Sequence, residues 1–73
     1  MKIKIGMIFK EIWADNGGDF IQIIKYDVYV KEFNDNRWKY VVLTGRDFGN
    51  QYGAWEGSLN NVRCYKRIEG KRD

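Results

Sequence analysis

The sequence predicts an all-β fold: five short strands in one strongly bent antiparallel sheet or a small barrel, with at most one helical turn near 58–61. Three observations carry this. No window sustains the 3.6-residue apolar repeat of an amphipathic helix. Ile, Val, Tyr, Phe and Trp, which suit a pleated and half-buried surface, dominate the apolar positions. Clusters of Asn, Asp and Gly separate runs of strand length, and there is no proline.

The first strand is read from Ile3, Ile5, Met7 and Phe9, which alternate with Lys2, Lys4 and Lys10. Period-2 alternation implies one buried face. Gly6 interrupts the polar side and marks a bulge or a close backbone approach. Ile8 and Ile12 fall on the other parity, so the strand twists or shifts register near its middle. Ala14-Asp15-Asn16-Gly17-Gly18-Asp19 is a turn. Phe20–Ile24 is apolar on nearly both faces, as expected of a central strand, and Tyr26-Asp27 bends the chain or separates two strands.

The next unit is a hairpin from Val28 to Leu43. With Asp35 and Asn36 as the central turn residues, Phe33 faces Trp38, Glu32 faces Lys39 and Val30 faces Val41. One face is then Val28, Val30, Val41 and Leu43, with Val30 and Val41 expected to be buried. The other is Tyr29, Phe33, Trp38, Tyr40 and Val42. A one-residue slip would exchange the two faces, and both are apolar, so at least one needs a cover. Gly45, Gly49, Gly53 and Gly57 recur at every fourth position through 45–57, with Phe48, Tyr52 and Trp55 between them. Each glycine inside a regular element costs roughly 0.5–1 kcal/mol against Ala, so this segment is read as a long loop. Ser58 is a candidate N-cap for a helical turn over 58–61. Val62–Ile68 is the last strand, and 69–73 is expected to be a mobile basic tail.

Seventy-three residues make one domain, assigned to 1–68. A chain this short buries only about 60% of the surface its unfolded form exposes. Cys64 is the only cysteine and there is no histidine, which removes an internal disulfide and a thiolate zinc site. Burial of large rings, at 16% of residues, is the available source of stability. Dimerisation is the other route, and monomer and homodimer both remain open. The lone thiol suits a reducing compartment, Met1–Ile5 lacks the apolar core of a signal peptide, and no apolar run reaches membrane-spanning length. A cytoplasmic protein without membrane association is expected.

The net charge is +3, unevenly spread. Residues 1–10 carry three lysines and no acid, 11–35 hold six acids against Lys25 and Lys31, and 61–73 are again basic through Arg63, Lys66, Arg67, Lys71 and Arg72. Neighbouring terminal strands would form one basic edge, suited to an anionic partner.

Five strands with one long late loop, a single helical turn and a final strand resemble a small SH3-like barrel; the order of elements carries that resemblance. The opening Gly6-Met7-Ile8-Phe9-Lys10 and the close Tyr65-Lys66-Arg67-Ile68 look like short uncharacterised proteins of phages and mobile elements. That resemblance implies a small accessory or host-takeover protein and transfers no site residues.

An enzyme is hard to assemble from these residues. The commonest general base is missing, Ser58 and Thr44 have no base close in sequence, and Cys64 on a strand reads as core. Asp15 and Asp19 flank a turn without the calcium-loop pattern. No catalytic residue, metal ligand or cofactor is assigned. The expected function is a non-catalytic module that binds a larger protein and modulates it. Its contact residues are Arg46, Phe48, Tyr52 and Trp55 of the glycine segment, with Phe48 partly buried, and Tyr29, Phe33, Trp38 and Tyr40 of the hairpin. Trp, Tyr and Arg are the types enriched at binding hot spots. The alternative is a nucleic-acid or small-nucleotide binder in which Arg46, Arg63, Lys66 and Arg67 hold phosphate and strand aromatics stack bases.

Overall fold

A computed structural model describes residues 1–13 and 18–68. The expected turn at 14–17, the carboxylate of Asp15 and the tail at 69–73 lie outside the described residues. The chain runs β1 (Ile8–Glu11), β2 (Phe20–Val30), a 3-10 turn (Lys31–Phe33), β3 (Asp35–Val42), β4 (Gln51–Trp55), α1 (Glu56–Leu59) and β5 (Tyr65–Ile68). The strands form one five-stranded sheet in the order β4-β3-β2-β1-β5, and every ladder is antiparallel. The all-β expectation holds. The barrel form does not close through hydrogen bonds, because β4 and β5 are the two ends of this order. The short helix α1 instead packs against β3, β4 and β5, and its Leu59 is only 1% exposed. One leucine thus fills the space between the sheet's two edges.

The core lies on one face of the sheet. Phe9 of β1, Ile21 and Ile23 of β2, Tyr40 and Val42 of β3, Ala54 of β4 and Tyr65 of β5 are buried together with Ile3 and Leu59. Cross-strand pairing sets them side by side: Ile21 stands opposite Val42, and Ile23 opposite Tyr40. Met7, Trp38 and Cys64 pack against this cluster from its rim.

β2 is a single long strand rather than two. It shifts register between Ile23 and Lys25 and again between Tyr26 and Val28, so Tyr26-Asp27 bends the chain without ending the strand. Such irregularities add local twist and let eleven residues follow a curled sheet.

The hairpin turn differs from the expected one. The chain reverses through Lys31–Phe33 and Asn34, which adopts the left-handed conformation (φ 51°, ψ 47°), a region Asn tolerates better than most residues. Asp35 already belongs to β3, opposite Val30. The consequences run down the ladder: Trp38 faces Tyr26, Lys39 faces Lys25, and Val41 faces Gln22. Tyr40 and Val42 therefore point into the core, while Val41 turns outward and Val30 is only half-buried.

Three further expectations are corrected. The first strand begins only at Ile8. A turn with Gly6 at φ +97° separates buried Ile3 from the sheet and leaves Ile5 66% exposed. The segment 45–57 is not one loop, because β4 runs through Gly53 and α1 through Gly57. A side chain at Gly53 would collide with the Arg37 guanidinium, so the missing Cβ makes room for a neighbour. The helix starts two residues before Ser58, and its second backbone N–H, that of Gly57, donates 3.1 Å to Asp35 Oδ2 instead of to an N-cap side chain.

Candidate binding groove

The corrected hairpin turn and the early helix start bring the 3-10 turn and α1 together. Between them lies an open groove of about 350 Å³ lined by Phe33, Asp35, Trp55, Gly57, Ser58 and Asn61. Phe33 is 69% exposed and meets the half-buried Trp55 edge-on, with ring centres 5.1 Å apart. The carboxylate of Asp35 holds the floor: Oδ1 accepts from Asn36 N–H at 2.8 Å, and Oδ2 accepts from Gly57 N–H. A Cβ at Gly57 would come within 3.0 Å of that oxygen. The turn and the backbone of α1 thus meet at this carboxylate.

Trp55 is positioned from the strand side as well. Arg37 stands opposite it across β3 and β4, with the guanidinium carbon 5.6 Å from the indole centre. Arg37 Nε also lies 3.3 Å from Asp27 Oδ2. Asp27 occupies the second irregularity of β2, so the bend supplies the counter-ion that steadies the arginine.

Behind the groove, on the inward row, Glu56 is the hub of a polar network. Its Oε1 accepts from Trp38 Nε1 at 3.0 Å and from Asn36 Nδ2 at 3.3 Å. Asn36 Oδ1 in turn accepts from Tyr26 OH at 2.8 Å, and the Tyr26 and Trp38 rings meet edge-on at 5.1 Å. Tyr29 OH donates to Asn34 Oδ1, tying the end of β2 to the left-handed turn residue.

The residues expected to bind a partner therefore separate. Phe33 and Trp55 line the groove, while Tyr29 sits half-exposed beside the turn and Trp38 is committed to Glu56 and the rim of the core. Tyr40 is a correction: at 7% exposure it is a core residue, packed beside Tyr52 at 6.0 Å between ring centres. Burial, with the neighbouring Tyr65 and Glu11, pushes its phenol above the ordinary value, and burial likewise raises Tyr65. Phe48 is 70% exposed, not partly buried, on the β3–β4 connection. Tyr52 is half-exposed on β4.

The expected anion-binding residues spread over three elements. Arg46 belongs to the β3–β4 connection, Arg63 to the turn before β5, and Lys66 and Arg67 to β5 itself. Arg46 borders a second depression, of about 430 Å³, with Gly18, Asp19 and Gly45. The Asp19 carboxylate there accepts from Thr44 Oγ1 at 3.2 Å, which places a negative charge on the wall that an anion would have to share. Sequence reasoning missed Asp35 as a groove residue because it was assigned to the turn. The Asp35/Gly57 contact joins positions 22 apart and has no local signature.

No helix among the described residues is long and apolar enough to cross a membrane. Comparison with protein-family models, with curated proteins and with solved structures returned no match.

Proposed function

We propose that this chain is a non-catalytic binding module, a small accessory protein of the phage type. It docks on a larger host or defence protein through the groove between the 3-10 turn and α1. The observation that carries the reading is the Phe33/Trp55 ring pair, with Phe33 open to solvent over a floor fixed by Asp35 and Gly57. Exposed aromatic pairs set in a preorganised frame are the usual anchors of protein interfaces, and loops held by a rigid scaffold carry binding residues disproportionately. Tyr29 beside the turn extends the apolar surface towards the roughly 800 Å² that each side of a standard interface needs. The phage-like opening and closing segments support a host protein as the target.

The test pairs affinity with stability. Immobilised wild-type chain is challenged with host lysate treated with nuclease, and the retained protein is titrated against Phe33→Ala, Trp55→Ala and Arg46→Ala. The reading requires Phe33→Ala and Trp55→Ala to weaken capture at least tenfold. Phe33→Ala, as the more exposed of the two, should leave the melting temperature nearly unchanged. Capture that disappears with nuclease, or that survives loss of both rings, would remove the groove from the functional account.

A further inference from the structure

We infer that the free edge of β4 pairs antiparallel with the same edge of a second copy, centred on Gly53, so that two sheets join across a two-fold axis. The inference does not require the groove to hold a target. Trp55 belongs to both: its ring lines the groove and its backbone N–H faces the edge.

The ladders decide which backbone groups are free. Val42 N–H donates to Asn50 C=O at 2.9 Å, and Leu43 N–H donates to Phe20 C=O at 2.8 Å, so successive residues of β3 bond to opposite neighbours. Bonded and non-bonded pairs alternate along an antiparallel ladder. Counting from Val42 and Asn50, Tyr40/Tyr52 and Trp38/Ala54 are bonded pairs, whereas Val41/Gln51, Lys39/Gly53 and Arg37/Trp55 are not. Gln51, Gly53 and Trp55 therefore turn their N–H groups away from β3, and Gln51 and Gly53 their C=O groups as well. The Trp55 C=O, at the N-cap, opens α1. Among the described residues no other backbone group meets those of Gln51 or Gly53. The helix begins only after Trp55 and packs on the core side through Leu59, so Gln51 and Tyr52 stay exposed.

The two ends of the sheet are guarded differently. On β5 the bond from Ile12 N–H to Cys64 C=O sets the alternation, and Tyr65 and Arg67 face the edge. The Tyr65 N–H there donates to Asn61 C=O at 3.1 Å. Lys66 and Arg67 would bring like charges together in a self-pair, and charged side chains are a common protection of sheet edges. β4, Gln51-Tyr52-Gly53-Ala54-Trp55, carries no charge, no proline and no register shift. Such an edge is a template for another strand, and without charge it is compatible with itself.

Centring on Gly53 is the register in which the whole of β4 overlaps its copy. Gly53 then exchanges N–H and C=O with Gly53 of the second copy, and Trp55 N–H meets Gln51 C=O of the second copy, with the reciprocal contact set by the two-fold. On the inward face Tyr52, 45% exposed, comes beside the small Ala54 of the second copy, which covers a ring in a chain short of core. The Arg37 guanidinium that lies over Gly53 keeps Asp27 as its counter-ion, so no uncompensated charge reaches the axis. Gln51 of the second copy stands beside Trp55 and adds a residue to the rim of the groove.

Sedimentation equilibrium and amide hydrogen exchange of the full chain, each run from low micromolar to near-millimolar concentration, test the pairing. A monomer–dimer equilibrium is expected. As the dimer forms, the Gly53 and Trp55 amides gain acceptors and should exchange about tenfold more slowly or slower still. Those of Tyr52 and Ala54, bonded to β3 in either state, should change little, and that of Arg67 should stay unprotected. N-methylation of the Gly53 amide in a synthetic chain removes the central donor and no bond of the fold. It should weaken self-association by about tenfold or more and leave the melting temperature of the dilute chain unchanged. Phe33→Ala, which alters the groove alone, should dimerise like wild type, so loss of target capture and loss of the dimer are read separately. The inference falls if the chain is monomeric throughout the range, if Arg67 gains protection instead of Gly53, or if the N-methylated chain dimerises like wild type. A lower melting temperature of the dilute N-methylated chain would place the Gly53 N–H inside the fold and overturn it. Loss of the dimer in Phe33→Ala would also overturn it, by moving the contact to the groove.

Discussion

Arg37 and Trp55 face each other across β3 and β4, and the guanidinium occupies the space that a side chain at Gly53 would need. The glycine, the arginine and the indole are thereby one unit, although the first looks like a loop residue in the sequence. Gly53→Ala should push Arg37 away from both Trp55 and Asp27. Cation–π contacts at exposed sites contribute about 0.5–1 kcal/mol and partly exposed ion pairs less than about 1 kcal/mol, so the expected loss is about 1 kcal/mol. Arg37→Ala should cost a similar amount. The double variant should cost scarcely more than either alone, because the residues share one interaction. Denaturant melts of the four proteins check this, and strictly additive losses would refute the coupling.

Glu56 holds two donors with one oxygen, so its removal leaves the half-buried Trp38 Nε1 and Asn36 Nδ2 without their acceptor. Glu56→Ala should destabilise the fold by about 1–3 kcal/mol. Glu56→Gln, which retains the acceptor, should recover most of that. The indole N–H resonance of Trp38 should move in the alanine variant and stay close to its native position in the glutamine variant.

The hairpin register is tested by a pair of valines. Val42 lies in the core and Val41 on the outward row. Val42→Ala should cost about 1–3 kcal/mol through lost burial and a residual cavity. Val41→Ala should cost less than half as much. The reverse order would restore the turn at Asp35-Asn36.

How far the sequence carried can be seen at this hairpin. The all-β class, the central place of Phe20–Ile24 and the single helical turn follow from composition and period, which are local properties. The five strands agree in number but not in placement: Tyr26-Asp27 bends β2 instead of separating it from the hairpin strand at Val28, and β4 lies inside the glycine segment read as a loop. Neither boundary is local. Asp27 stays in the strand because Arg37 from β3 meets it, and Gly53 belongs to a strand because the same arginine fills its vacant side. The turn was misplaced because Asp35-Asn36 is a good turn pair by itself. The structure prefers Asn34 in the left-handed region, with Asp35 free to fasten α1. In the groove, Phe33 is an exposed ring as the sequence suggests, while Trp55 is half-buried. Their meeting was not legible, since it depends on that turn.

Alkali offers a fourth test. Burial raises the folded-state pKa of Tyr40 above the ordinary phenol value of 10.0, and burial also raises that of Tyr65. Above that pH the unfolded chain loses these protons while the folded one keeps them, so unfolding is favoured as pH increases. The contribution is fully present below about pH 10 and is lost progressively above it. Melting temperatures measured from pH 8 to pH 11 should fall at the alkaline end, and Tyr40→Phe should reduce the slope of that fall.

Leu59→Ala addresses the helix. A fully buried leucine replaced by alanine costs about 2–5 kcal/mol, and here the cavity would open between the edges of the sheet. The variant should melt far below wild type, and amides of β4 and β5 should lose hydrogen-exchange protection before those of β2.

The four residues of α1 serve two masters. Leu59 is the stopper between the two ends of the ribbon, while Gly57 and Ser58, two places and one place earlier, form a wall of the groove. Whatever displaces the stopper displaces the wall, because both sit on the same four residues. Wall and stopper share one turn of helix, so a substitution at 57 or 58 that reshapes the groove should also register as a change in stability.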